Sequence, residues 1–141
     1  MDLGQIVAGG RGSLTTILYL LKSGEISRWH RVIDAVEKAG LKDKVEIRLQ
    51  DYRDATGVFD KIASIEMFEA VGEEYWPAYF DKIQSSLAPG GQAGLQIITI
   101  DERYFDGYRS SVDFIQKYVF PGGMLPSMTA LRSQISQPEG V

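Results

Sequence analysis

Cysteine is absent from the 141 residues, so disulfide staples and thiolate metal sites are excluded. Histidine is represented by His30 alone, and one imidazole cannot assemble a zinc cluster, so no metal centre is expected. Positive charge is not in excess: 15 Lys and Arg face 19 Asp and Glu, for a net charge of −4. No basic run is present, so no nucleic-acid partner is expected, nor strong charge-driven docking on an anionic membrane. No apolar stretch approaches the ~20 residues of a membrane span. The apolar residues 17–21 are too few, and the start lacks the charged, then apolar, then small-residue order of a signal peptide. A cytoplasmic protein is expected. Internal repeats and low-complexity segments are also missing. What remains is ordinary globular composition, 44% hydrophobic and 24% charged, in a length that supports one domain. Oligomeric state is left open.

Helical spacing runs over residues 26–39, where Ile26, Trp29, Ile33, Val36 and Ala39 share one face and Gly40 reads as the stop. Residues 45–49 alternate apolar and charged, as a strand does. Residues 54–57 read as a turn, and 62–65 as a buried strand. A second helix is expected over residues 73–87, with Tyr75, Trp76, Tyr79, Phe80, Ile83 and Leu87 on a broad apolar face. Pro77 fits only near its start, and Pro89-Gly90-Gly91 reads as its end. The near-continuous apolar run 95–100 predicts a central strand covered on both faces. Residues 112–119 predict a helix that caps the site. Helix, strand, strand, helix, strand is the rhythm of a doubly wound α/β sheet. Residues 132–141 read as a polar tail.

The most informative stretch is Ala63-Ser64-Ile65-Glu66-Met67-Phe68-Glu69-Ala70-Val71-Gly72. It sets two carboxylates, Glu66 and Glu69, directly after a short apolar strand. Open α/β sheets bind ligands at the carboxyl ends of their strands. Burying a carboxylate there is costly unless something pairs with it, so at least one is expected to be used.

The same stretch, continued as SIEMFEAVGEEYWPAYF, resembles the signature of the cyclopropane-fatty-acyl-phospholipid synthase family, within the class I S-adenosylmethionine-dependent methyltransferases. Three further blocks agree in order: VEIRLQDYRD at residues 45–54, LAPGG at 87–91 and FIQKYVFPGGMLPS at 114–127. The resemblance covers residues 29–131. It implies an incomplete Rossmann-like core with a mostly parallel sheet flanked by helices, a single partial domain. It also implies methyl transfer from S-adenosylmethionine to the double bond of an unsaturated acyl chain in phospholipid. A bicarbonate ion would serve as general base, with peripheral contact at the inner membrane surface.

Carried onto this chain, the resemblance makes Glu69 the carboxylate that orients bicarbonate, with Gln96 and the main-chain N–H of Ile98 as its other contacts. Glutamine donates and accepts but does not titrate near neutrality, so Gln96 could position an anion and could not relay a proton. The alternative for Glu69 is a helix cap, and for Gln96 a polar residue satisfied within a strand. Gln50, Asp51 and Tyr52 follow a strand where this class holds adenine; a surface turn with an Asx bond would also explain Asp51. Ile65 and Glu66 fall where the family wraps the sulfonium. Tyr118, Phe120, Gly123, Met124 and Leu125 would line an acyl tunnel, although aromatic and Met stripes are more often plain core. Trp29, Trp76 and Tyr79 read as core.

One part departs from the family. It should open with a buried strand, an acid and a loop of alternate glycines. Here Met1-Asp2-Leu3-Gly4-Gln5-Ile6-Val7-Ala8-Gly9-Gly10-Arg11-Gly12 has the acid and the glycines at the wrong spacing, with no strand before them. Residues 1–25 are therefore expected to be a truncated or rearranged copy of the cofactor loop. The rival readings are a catalytically inactive fragment or subunit, and a methyltransferase with another small-molecule acceptor.

Overall fold

A computed structural model describes residues 3–9, 15–20, 26–111, 117 and 122–136. Its strands are β1 (Leu3–Gly9), β2 (Thr15–Leu20), β3 (Val45–Leu49), β4 (Phe59–Ile65) and β5 (Leu87–Gln96). Its α-helices are α1 (Ile26–Lys38), α2 (Trp76–Ser86), α3 (Glu102–Ser110) and α4 (Met128–Ile135), with 3-10 turns at Tyr52–Asp54, Phe68–Ala70 and Glu73–Tyr75. The strands form one sheet in the order β3-β2-β1-β4-β5. β2 pairs parallel with β3, and β4 with β5, each pair joined through a helix as parallel neighbours require. β1 runs antiparallel to both β2 and β4, so the other strands all share one direction. The expected α/β fold is what the chain adopts, with a parallel strand pair on each side of the antiparallel β1.

Local chemistry accounts for most elements. α1 stops where Gly40 takes φ +67, with Leu41 N–H donating to the Val36 carbonyl and Gly40 N–H to that of Glu37. That is the left-handed helix end glycine favours. In β4 only Ile62 and Ser64 are buried, the alternation of a strand with one inward face. In α2, Trp76, Tyr79 and Ile83 are buried at helical spacing, and Pro77 sits in the first turn, where its missing N–H costs nothing. The expected 73–87 helix is thus a 3-10 turn over Glu73–Tyr75 followed by α2.

Phe68 lies at the centre of the core. Its ring is 5.2 Å from Trp76, 5.0 Å from Tyr79 and 5.5 Å from Phe80, and Tyr52 meets Tyr79 edge-on at 5.7 Å. Tilted and edge-on aromatic pairs add about 0.5–1.5 kcal/mol each beyond area burial. The polar ends are satisfied: Trp76 Nε1 donates to the Val71 carbonyl at 3.1 Å, and the Tyr79 hydroxyl to Ser64 Oγ at 2.7 Å.

Burial, the largest cause, pushes the Tyr79 phenol up to about 12, with the Ser64 bond acting the other way. Above the ordinary tyrosine value of about 10 the unfolded chain releases this proton while the folded chain keeps it. Stability is therefore expected to be unaffected by this group below pH ~10 and to fall between pH ~10 and ~12. Alkaline denaturation of wild type and Tyr79→Phe checks this. Equal slopes in that window would refute it.

Several expectations are corrected. Pro89-Gly90-Gly91 does not lie outside the sheet but inside β5, which starts directly after α2. Proline is tolerated there because β5 has a single described neighbour, β4. The run 95–100 is not a central strand covered on both faces: β5 ends at Gln96, and Ile98 is 51% exposed. Past Gln96 the main-chain amides find other partners, Ile98 in the Glu69 carboxylate and Ile100 in the Pro126 carbonyl. The glycine-rich start itself forms a strand, β1, which follows Asp2 and contains Gly4 and Gly9. α3 and α4 were not anticipated. Each is capped by a side chain, Asp101 accepting from Arg103 N–H and Ser127 from Ala130 N–H. α4 also carries helix past Leu131 into the expected polar tail. The expected 112–119 helix lies outside the described residues, apart from Lys117.

Candidate active site

The strand order turns back between β1 and β4: from β1 the chain proceeds outward through β2 and β3, then returns to β4 on the other side. Ligand crevices of open α/β sheets form at such a point, at the carboxyl ends of the strands. The two acids of the signature lie there. Ser64 and Ile65 of β4 pair with Leu95 and Gln96 of β5, which brings the carboxyl ends of the two strands together.

Glu66 is the first residue past β4 and takes φ +49, left-handed backbone that a residue with a Cβ seldom adopts. Two bonds to Gln96 hold it: Glu66 N–H donates to the Gln96 carbonyl at 3.0 Å, and Gln96 Nε2 donates to Glu66 Oε1 at 3.1 Å. This turn directs the chain into the Phe68–Ala70 3-10 turn, which carries Glu69.

Glu69 is 7% exposed. Its Oε1 accepts from the main-chain N–H of Ile98, while its Oε2 is buried with no hydrogen-bond partner among the described residues. A carboxylate oxygen without a partner is expensive to bury. The Glu69 carbonyl accepts from Met124 N–H at 3.1 Å, tying it to the PGGMLPS segment. There Gly123 and Met124 are buried and Leu125 half-buried. Gly72 explains the last letter of FEAVG. Its φ is ordinary, but a Cβ would stand 3.1 Å from the Gly122 carbonyl oxygen. Because that neighbour is backbone, Gly72→Ala is expected to destabilise by about 1–3 kcal/mol, read from denaturant midpoints. An unchanged midpoint would show that residues 122–125 move aside freely.

The structure thus brings Glu69, Ile98, Met124 and Gly123 to one place, and pairs Gln96 with Glu66 beside it. Tyr118 and Phe120 lie outside the described residues. Gln50, Asp51 and Tyr52 are occupied locally. Asp51 caps the Tyr52–Asp54 turn, accepting from Arg53 N–H at 2.9 Å and pairing with its guanidinium at 2.6 Å. That bonding, chiefly with the Arg53 side chain, holds the Asp51 carboxyl below its ordinary range. Gln50 Nε2 donates to the Asp54 carbonyl at 2.7 Å, and the Tyr52 ring is buried against Tyr79. The described glycines of the start are split along β1, with Gly4 next to Gln5. Gly9 pairs with Lys61 near the beginning of β4, whereas Gln5 pairs with Ile65 at its carboxyl end. β1 therefore delivers Gly9 to the edge opposite Glu66 and Glu69. Among the described residues no group of three or more His, Cys, Asp or Glu could hold a metal, and no helix is long and apolar enough to cross a membrane.

Glu102 and Ser127 were missed by the sequence reading. Ser127 is wholly buried, donates to Glu102 Oε1 at 2.8 Å and caps α4. A serine before the Met128-Thr129-Ala130-Leu131 helical pattern was the available signal.

Parallel β-α-β units with acids at the carboxyl edge define a partial Rossmann-like methyltransferase core. Residues 23–140 match the family described as mycolic acid cyclopropane synthetase, and the chain belongs to that family. It is 42% identical over 106 residues to the tuberculostearic acid methyltransferase of Mycobacterium tuberculosis, covering 75% of this chain and 25% of that protein. It is 36% identical over 107 residues to a probable fatty acid methyltransferase of Pseudomonas putida, covering 72% and 27%. It is 42% identical over 98 residues to the cyclopropane-fatty-acyl-phospholipid synthase of Escherichia coli, covering 69% and 24%. The chain spans about a quarter of the length of these relatives.

Proposed function

We propose that this chain serves S-adenosylmethionine-dependent methyl transfer to the double bond of an unsaturated fatty acyl chain in phospholipid, as cyclopropanation or C-methylation. The observation that carries the proposal is the buried, half-paired carboxylate of Glu69 beside the Ile98 amide. A bicarbonate ion suits this donor set. The Glu69 oxygen without a partner among the described residues is an acceptor for its hydroxyl, and the Ile98 N–H, which donates to the other Glu69 oxygen in this structure, would turn to a charged oxygen of the ion. Bound there, it supplies a general base for the proton lost after methyl transfer. Glu69 orients the ion, and Gly123, Met124 and Leu125 present the acyl side and exclude water. The lipid partner implies peripheral contact at the inner membrane surface.

The fit to the methyl donor is partial. Ile65 and Glu66 stand at the carboxyl edge and Gln50, Asp51 and Tyr52 follow β3, but Gly4 and Gly9 lie within β1 toward opposite edges of the sheet and not together in one loop. That observation favours a second reading, a catalytically inactive chain or a subunit that needs another. Calorimetric titration with S-adenosylmethionine is expected to give a constant no tighter than roughly millimolar, about 4 kcal/mol of binding. A micromolar constant would mean that the start of the chain rebuilds a cofactor loop, and the second reading would fall. The primary reading is tested by labelled methyl incorporation into monounsaturated phospholipid. Incorporation that depends on bicarbonate is expected. Equal incorporation without bicarbonate would remove the ion from the scheme, and none in either case would favour the inactive reading.

A further inference from the structure

Residues 98–100, just past β5, and residues 124–127 are joined directly at Ile100 and through Glu69 at Ile98 and Met124. Glu69 closes one end, its carboxylate accepting from Ile98 N–H and its carbonyl from Met124 N–H. Two residues along each segment, Ile100 N–H donates to the Pro126 carbonyl at 3.0 Å, and Ile100 bridges Ser127 in parallel. At the far end the Ser127 hydroxyl donates to Glu102 Oε1 at 2.8 Å, and Thr129 N–H donates to Glu102 Oε2 at 3.3 Å. We propose that Glu102 and Ser127 form a latch that holds residues 122–125 against Glu69.

Neither residue needs this contact for its own helix. Ser127 caps α4 by accepting from Ala130 N–H at 3.2 Å, which leaves its donor free for another partner. α3 is capped by Asp101, not by Glu102. The bond therefore serves the junction between the two segments. Ser127 and Pro126 are fully buried, so a hydroxyl without a partner there would be costly. The Ser127 bond, first among several, also keeps the Glu102 carboxyl below its ordinary range, so the acceptor stays charged near neutrality. The ladder then transmits the latch to Glu69, because Met124 and Ile98 are the residues bonded to it. On the methyl-transfer reading above, Glu102 is a positioning residue for the acyl side of the site.

Amide hydrogen exchange of wild type, Glu102→Ala and Glu102→Gln tests the latch without any activity. Glu102→Ala leaves the Ser127 cap in place. It is expected to speed exchange at Met124, Ile100 and Ile98 by about tenfold, as loss of a charge-assisted bond allows, while Ile62 in β4 keeps its protection. Glu102→Gln retains an acceptor and should restore most of the protection. Acceleration confined to Thr129 and Ala130, acceleration spread evenly over the whole chain, or no acceleration would each overturn the latch. In the methyl-incorporation assay, Glu102→Ala should raise the KM for the acyl substrate more than it lowers kcat, and Glu102→Gln should reverse this. Exchange as expected with no incorporation by any variant would keep the latch and count against the methyl-transfer reading alone.

Discussion

Glu69→Gln is expected to lower methyl incorporation by about 10²–10⁴-fold, the usual cost of a lost general-base arrangement. Affinity for S-adenosylmethionine should hardly change, since the donor side is assigned to Ile65 and Glu66 and not to Glu69. Glutamine preserves the size and can keep one oxygen toward the Ile98 amide. It replaces the other oxygen, the buried Oε2 without a partner among the described residues, by an NH2 group. That group donates where the proposed bicarbonate hydroxyl also donates, so the anion would be misoriented. The exchange keeps the side-chain volume and the Ile98 bond, so the thermal midpoint should hold while activity is lost. This split separates a working carboxylate from a structural one. Equal incorporation by wild type and variant would refute the assignment, and a fall in midpoint matching the fall in rate would make Glu69 a packing residue.

Trp76→Ala is expected to destabilise the chain by about 3–5 kcal/mol, the range for truncating a fully buried aromatic. Trp76 is 1% exposed, packs on Phe68 at 5.2 Å and donates to the Val71 carbonyl at 3.1 Å. Its loss opens a cavity and strands that carbonyl in the turn between Glu69 and Gly72. Marginal stability makes this a large part of what a domain of this size possesses. Denaturant unfolding measures it, and Trp76→Phe should recover part of the loss because the ring contact returns without the donor. A cost below about 1 kcal/mol for Trp76→Ala would mean that Phe68 and Tyr79 close over the gap.

Elements with a regular inward face were legible in the sequence. α1 has Gly40 to end it, and α2 has Trp76, Tyr79 and Ile83 one turn apart with Pro77 at its start. β3 alternates, and the carboxyl half of β4 is a short apolar run bounded by charged residues. α3 was illegible because Phe105 is its one buried residue, so no stripe repeats. The 95–100 run misled for the opposite reason: a continuous apolar stretch carries no period, and only half of its surface is covered. Glu69 was legible because its neighbours spell a distinctive block. Its partner is a backbone N–H 29 residues away, and every residue but proline has one, so residue type does not point to Ile98 and only the resemblance brought it into the site.

The sequence by itself determined the family, the α/β class, the aromatic face of α2 and the placing of Glu66 and Glu69 just past a strand. These follow from short-range patterns that physics reads locally: periodicity, turn residues and a contiguous motif. The tertiary structure decided that β1 runs against its neighbours, that Gln96 bonds Glu66, that Glu69 meets Ile98 and Met124, and that Ser127 meets Glu102. Strand alternation looks the same in either direction, so only pairing with β2 and β4 could orient β1 and send Gly9 to the far edge. The partners of the buried polar groups are set by which surfaces the packed aromatic core brings together, across separations that no local pattern encodes.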